Sequence, residues 1–134
     1  MKLAYNAHHG QTDKSGVPYI FHPYHLAEQM DDENSVCVAL LHDIVEDTAV
    51  TLEQLRKTFP DEIVNAVALM THSENEDYPD YINRIKTNTL ARKVKLADLR
   101  HNTDLTRMPD ASEEQLAHYR KKYQKAFEIL EEEE

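Results

Sequence analysis

Apolar residues recur every three or four positions along most of this chain, and no convincing stretch alternates apolar with polar residues as a half-buried strand does. Ile63, Val64, Val67 and Met70 share one helical face, as do Tyr81, Ile82 and Ile85, and as do Val94, Ala97 and Leu105. Two capping boxes mark helix starts, Thr51-Leu52-Glu53-Gln54 and Ser112-Glu113-Glu114-Gln115. In each, the hydroxyl can accept from a first-turn N–H while the glutamine reaches back to the opening residue. The spacing predicts a helix from Ser35 to Asp47, a short one after Thr51 that stops before Pro60, and one from Asp61 to Met70. A further helix begins near Pro79, another runs from Leu90 to about Asn102, and a long last helix carries Leu116, Tyr119, Tyr123 and Leu130 on one stripe. Glu131 to Glu134 place negative charge where it opposes the helix dipole, so fraying is expected there. The expected fold is all-α. With 134 residues and no linker, repeat or low-complexity boundary, one domain over 1–134 is expected.

A net charge of −10 argues against a broad nucleic-acid face, and a mean hydropathy of −0.71 with no long apolar run argues against a membrane span or a secretory signal. The basic residues are unevenly placed, with six of the 15 (Arg84, Lys86, Arg92, Lys93, Lys95, Arg100) between positions 84 and 100. Such a strip suits a small polyanion, or it is a set of solvated helix faces. The single cysteine, Cys37, rules out a disulfide framework and a cysteine zinc site. It sits in an apolar run, where a buried, inert thiol is expected, in a cytoplasmic protein.

Both glycines of the chain, Gly10 and Gly16, bracket one loop. Unusual backbone angles, close approach of a ligand, or a plain interhelical connection would each account for them. No phosphate-cradling glycine motif and no nucleophile elbow occur elsewhere.

The chemistry concentrates in His42-Asp43-Ile44-Val45-Glu46-Asp47-Thr48. On a continuous helix, His42, Asp43, Glu46 and Asp47 crowd one face directly after the apolar turns Val38 to Leu41. Three carboxylates and an imidazole repel or compete unless a cation or shared protons compensate. Imidazole with carboxylate suits manganese, iron(II) or zinc; a solvated acidic helix end is the bland alternative. His22 precedes Pro23, which restricts its backbone and suits a helix starting at the proline. Asp98 lies in a largely apolar turn, where it could serve a metal or pair with Lys95 or Arg100.

The ordered pattern His22, His42-Asp43, Asp98 resembles the signature of HD-domain metal-dependent phosphohydrolases. More finely, four blocks resemble the hydrolase domain of RelA/SpoT alarmone enzymes, above all the stand-alone small alarmone hydrolases. They are Ala7-His8-His9-Gly10-Gln11, Lys14 to Pro23, Ala39 to Thr48, and Val94 to Asn102. The resemblance implies an all-α helical bundle and one divalent ion, manganese first, held by His22, His42, Asp43 and Asp98. It also implies Glu46 and Asp47 as the catalytic acidic pair, and Lys14, Asn102 and Tyr119 as substrate contacts. The implied reaction removes the 3′-pyrophosphate of ppGpp or pppGpp, giving GDP or GTP. Lys14 and part of the basic strip (Lys93, Lys95, Arg100) would offset substrate charge. The implied partner is a small phosphorylated nucleotide, with no nucleic acid or membrane, and the chain a monomer or homodimer.

Two positions depart from that pattern. Asp13 stands where similar hydrolases carry a base-stacking arginine, and Gln115 where they carry an arginine on the last helix. A hydrolase of another nucleotide, such as ppApp or NADPH, is therefore a second expectation, with Asp13 accepting from an exocyclic amine. A metal-binding module without turnover is the third; Glu46, Asp47 and Asn102 speak against it.

Overall fold

The computed structural model describes residues 1–13, 15–103 and 112–131, and helix is the only extended secondary structure among them. The helices are α1 (Lys2–His8), α2 (Phe21–Glu28), α3 (Glu33–Leu41), α4 (Ile44–Asp47), α5 (Leu52–Thr58), α6 (Asp61–Met70), α7 (Tyr78–Lys86), α8 (Thr89–Asn102) and α9 (Glu113–Glu131). The all-α expectation holds.

Local chemistry explains most of the boundaries. Thr51 Oγ1 accepts from Gln54 N–H at 3.2 Å and Gln54 Oε1 accepts from Thr51 N–H at 2.9 Å, so the first capping box forms. The second closes in the same way between Ser112 and Gln115, at 3.2 and 2.9 Å. Asp32 and Asn88 cap α3 and α8 through the N–H groups of Ser35 and Ala91. Helix α1, which has no side-chain cap, begins before any signal in the sequence marks it.

Helix α3 is buried along Val38–Leu41 and forms the hub. It packs on α2, α6 and α8, while α7 packs on α9 and α8. Leu26, Val38, Ile44, Leu55, Val67, Ile82, Ile85, Leu99 and Leu130 are all but fully buried in one cluster. Each such aliphatic side chain contributes about 1.5–3 kcal/mol by leaving water, which outweighs the weak propensities of the short helices. Tyr123 is half-buried and Leu130 buried, as the expected stripe of α9 requires. Leu105 and Glu132 to Glu134 lie outside the described residues.

Three expectations change. The helix over 35–47 is broken: α3 ends at Leu41, Asp43 has φ −105° and ψ 1°, and α4 starts at Ile44. The His42 ring donates from Nδ1 to the Ala39 carbonyl at 2.7 Å, the acceptor that Asp43 N–H would use in an uninterrupted helix. Second, α2 starts at Phe21, so His22 and Pro23 both lie in its first turn. Proline is tolerated there because first-turn N–H groups have no intrahelical acceptor. Third, Cys37 is only partly buried, and burial followed by the nearby Glu33 pushes its thiol up.

Candidate metal centre and cleft

The glycine loop is built by backbone geometry. Gly10 and Gly16 take φ 85° and 81°, a region that side chains disfavour, and a Cβ on either would meet no atom within 4 Å. Backbone angle rather than crowding by the protein thus accounts for glycine here. Between them Asp13 N–H donates to Val17 O at 2.8 Å, and Tyr19 N–H donates to Gln11 O at 2.9 Å. Asp13 Oδ1 accepts from Ser15 and Val17 N–H at 2.8 and 3.0 Å. The Asp13 carboxylate therefore shapes its own loop.

Helices α2, α3 and α8 bring His22, His42 and Asp98 together from three distant parts of the chain. His22 Nε2, His42 Nε2 and Asp98 Oδ1 face one another: His22 to Asp98 is 2.8 Å and His42 to Asp98 is 3.5 Å. All three residues are buried, and their ligand atoms lie within 4.8 Å of one another, a group that could hold a metal ion. His42 Nδ1 is committed to Ala39 O, so Nε2 is the ring nitrogen that would offer its lone pair to an ion. That buried Nε2 lies 3.0 Å from Asp43 Oδ2 yet makes no well-aligned hydrogen bond. An orphaned imidazole nitrogen facing carboxylate oxygens is what a divalent ion would satisfy, so the donor set fits one. Asp43 borders this group of three, its carboxylate accepting from the Tyr19 hydroxyl.

The two oxygens of Asp98 divide their work. Oδ1 faces the histidines and accepts from Asn102 Nδ2 at 3.2 Å, while Oδ2 receives Lys95 Nζ at 2.9 Å. Burial alone would raise the Asp98 pKa; Lys95, then His22 and His42, outweigh it and hold the carboxyl well below its usual range. For His42, burial favours the neutral ring, but Asp43 and Asp98 overcome it and hold the pKa well up. Behind His22, its Nδ1 lies 2.6 Å from His101 Nδ1, with the two rings stacked. Such an outer partner fixes ring orientation and tautomer.

A cleft of about 500 Å³ opens from this centre. It is lined by His22, Asp43, Glu46, Asp98 and Asn102, by Tyr19 and the loop residues Thr12, Asp13 and Ser15, and by Tyr119 on α9. Glu46 Oε2 accepts from His72 N–H at 3.3 Å, and partial burial, with Asp43 and Asp47 adding, pushes its carboxyl up despite that bond. Asp47 is not part of the cleft lining; its backbone carbonyl accepts from Gln11 Nε2 at 2.8 Å. Burial, with Asp43 next, raises its carboxyl as well. Lys14 lies outside the described residues.

The basic strip does not act as one surface. Of its six residues only Lys95 lines the cleft. Arg84 grips Glu76 at 2.8 and 3.0 Å, and Lys93 reaches Asp31 and Asp32 at 2.5 and 3.0 Å. The Arg84–Glu76 pair instead steadies the segment between α6 and α7, which carries His72 into the cleft against the Tyr81 ring at 4.6 Å. His72, Tyr78, Lys122 and Tyr123 are cleft residues that sequence reading passed over. Only the helical phase shared by Tyr119, Lys122 and Tyr123 could have signalled the last two.

The HD domain family matches residues 1–122. The guanosine-3′,5′-bis(diphosphate) 3′-pyrophosphohydrolase of Borreliella burgdorferi is 32% identical over 135 residues, covering 87% of this chain and 20% of that protein. The Haemophilus influenzae protein of the same name is 35% identical over 115 residues, with 75% and 17% covered. The bifunctional (p)ppGpp synthase/hydrolase SpoT of Escherichia coli is 33% identical, with 75% and 16% covered. The chain thus spans no more than 20% of the length of these curated relatives. A solved structure of a metazoan ortholog of SpoT, which hydrolyses ppGpp and plays a role in starvation responses, matches with a TM-score of 0.78 at 23% identity, over 96% of this chain and 82% of that one. That likeness is one of fold, and it agrees with the helical architecture found here. With most of its length matched, and with two histidines and an aspartate converging in a helical bundle, the chain belongs to the HD-domain family.

Proposed function

We propose that this chain, as one hydrolase domain over 1–134, removes the 3′-pyrophosphate of guanosine alarmones, converting ppGpp to GDP and pyrophosphate. The observation that carries the reading is the convergence of His22, His42 and Asp98 on a cleft edged by Glu46. The 3′-pyrophosphohydrolase names of its relatives support the substrate class. His22, His42 and Asp98 would hold the ion, with Asp43 beside them. Manganese is the ion that the resemblance implies. A divalent ion there supplies Lewis acidity toward water and a phosphoryl oxygen.

The remaining chemistry belongs to side chains. Glu46 faces the cleft with a raised pKa, so it takes up a proton more readily than a free glutamate and suits general base work. Asp47, one residue on, is the other member of the acidic pair that the resemblance implies and could serve as the acid, although it does not line the cleft. Asn102 is held at Asp98 by its amide and lines the same wall, within reach of a ribose. Tyr119 offers a ring to the nucleotide from α9.

A different base was attractive because Asp13 could accept from an amine. Its Oδ1 is instead used twice within its own loop, which weakens that support. The test is a panel of ppGpp, ppApp, NADPH and dNTPs with manganese. Pyrophosphate release from ppGpp above all others is expected, and faster turnover of a different nucleotide would replace the substrate while keeping the centre.

A further inference from the structure

Glu46 is exposed on α4, a helix of four residues, so its own element does little to fix a long, rotatable side chain. A base must nevertheless meet its water in a narrow geometry, and a misplacement of about 1 Å can cost roughly 100-fold in rate. The carboxylate is held from outside α4: the N–H of His72 donates to Glu46 Oε2 at 3.3 Å. His72 follows the end of α6, where Thr71 has left helical geometry with φ −86° and ψ 109°. Its N–H is placed only as well as that connection is held.

The peptide group joining Thr71 to His72 is planar, so its C=O and N–H point in opposite directions. Arg84, from α7, donates from Nη2 to the Thr71 carbonyl at 3.2 Å. A cation thus grips one end of this peptide, and the Glu46 carboxylate sits at the other. That alignment fixes the direction of the N–H and polarises it toward the carboxylate.

The guanidinium is itself held. Its Nη2 and Nε reach the two oxygens of Glu76 at 2.8 and 3.0 Å, and Nη1 reaches Ala68 O, in the last turn of α6, at 3.5 Å. Glu76 closes the connection from its other side, its backbone carbonyl accepting from His72 Nε2 at 2.7 Å. Tyr81, on the same helix as Arg84, donates its hydroxyl to Met70 O at 2.5 Å and meets the His72 ring at 4.6 Å. A lysine ammonium is a point charge, whereas the planar fork of arginine serves carbonyl and carboxylate together.

We infer that Arg84 is a positioning residue for Glu46, acting through the Thr71–His72 peptide, an inference that rests on the proposed role of Glu46 as base. With Oε2 committed to that peptide, Oε1 is the oxygen that takes the proton.

A double-mutant cycle of Arg84→Met with Glu46→Gln, with Arg84→Lys beside it, tests this in ppGpp turnover. Arg84→Met is expected to lower kcat about tenfold while KM stays within about twofold. Arg84→Lys should fall between it and wild type. In the Glu46→Gln background the same Arg84→Met change should cost less than about twofold, because the group it positions is gone. An equal loss in both backgrounds marks a merely structural effect and overturns the inference, and so does a loss confined to KM. Amide hydrogen exchange read by NMR supplies a measurement independent of turnover. The His72 amide should be protected in wild type and exchange about tenfold faster in Arg84→Met and in Glu46→Ala, with the α8 amides within about twofold. An unprotected His72 amide in wild type overturns the inference. If ppGpp is not hydrolysed but His72 protection depends on Arg84 and Glu46, the alarmone reading falls and the arrangement stands. Hydrolysis with His72 exchange indifferent to both residues does the reverse.

Discussion

Lys95 Nζ lies 2.9 Å from Asp98 Oδ2, on the side of the carboxylate away from His22, whose Nε2 lies 2.8 Å from Oδ1. One buried lysine thus balances the aspartate while leaving its other oxygen to the histidines. Both partners are buried, and removing one member of such a pair strands the other charge away from water.

Lys95→Met is accordingly expected to destabilise the metal-free protein by about 3 kcal/mol. Divalent ion should recover part of that loss by replacing the missing positive charge beside Asp98. Urea unfolding with chelator and with manganese reads both effects. Unchanged stability in chelator would mean that the pair does not carry the weight given to it.

Glu46 is raised above an ordinary glutamate by partial burial and by the neighbouring Asp43 and Asp47 carboxylates, against the opposing bond from His72 N–H. A general base works only when deprotonated, so kcat/KM should rise with pH through that raised pKa, placing the acid limb above that of an ordinary glutamate. Glu46→Gln is expected to lower kcat by roughly 100-fold or more and to remove that limb. A variant that keeps the limb would move the role to Asp47.

Asp32 carries a separate, purely structural expectation. Its carboxylate accepts from Ser35 Oγ and Ser35 N–H and faces Lys93, and these hold its pKa well below the usual range. A depressed folded pKa stabilises the protein above the unfolded value of about 3.9 and is lost as pH falls through the folded value. Asp32→Asn can still cap α3, so wild type should melt higher than the variant at neutral pH. The gap should close below about pH 4 in paired melting curves. A gap that widens on acidification would contradict the assignment.

Much of this was legible in the residues because it is local. The two capping boxes form as read, since their partners lie three residues apart and need no tertiary help. His22, His42 and Asp98 could be nominated from order and neighbourhood, but that Asp98 serves Lys95 and the histidines together required the fold. Spacing offered those partners as alternatives, and two carboxylate oxygens allow both. The break at His42–Asp43 was hidden because it follows from an imidazole occupying a helix carbonyl. His72 and Lys122 were invisible for another reason. A histidine between helices and a lysine in a charged helix have no pattern until Arg84–Glu76 and the tyrosines of α7 and α9 place them at the cleft.

The most direct measurement is pyrophosphate and GDP release from ppGpp by chelator-treated protein as manganese is added back, with His42→Ala beside it. Hydrolysis that follows the added ion, and that His42→Ala lacks together with its calorimetric metal binding, is the expected result. Equal hydrolysis in chelator, or by His42→Ala, would contradict a metal centre built on His22, His42 and Asp98.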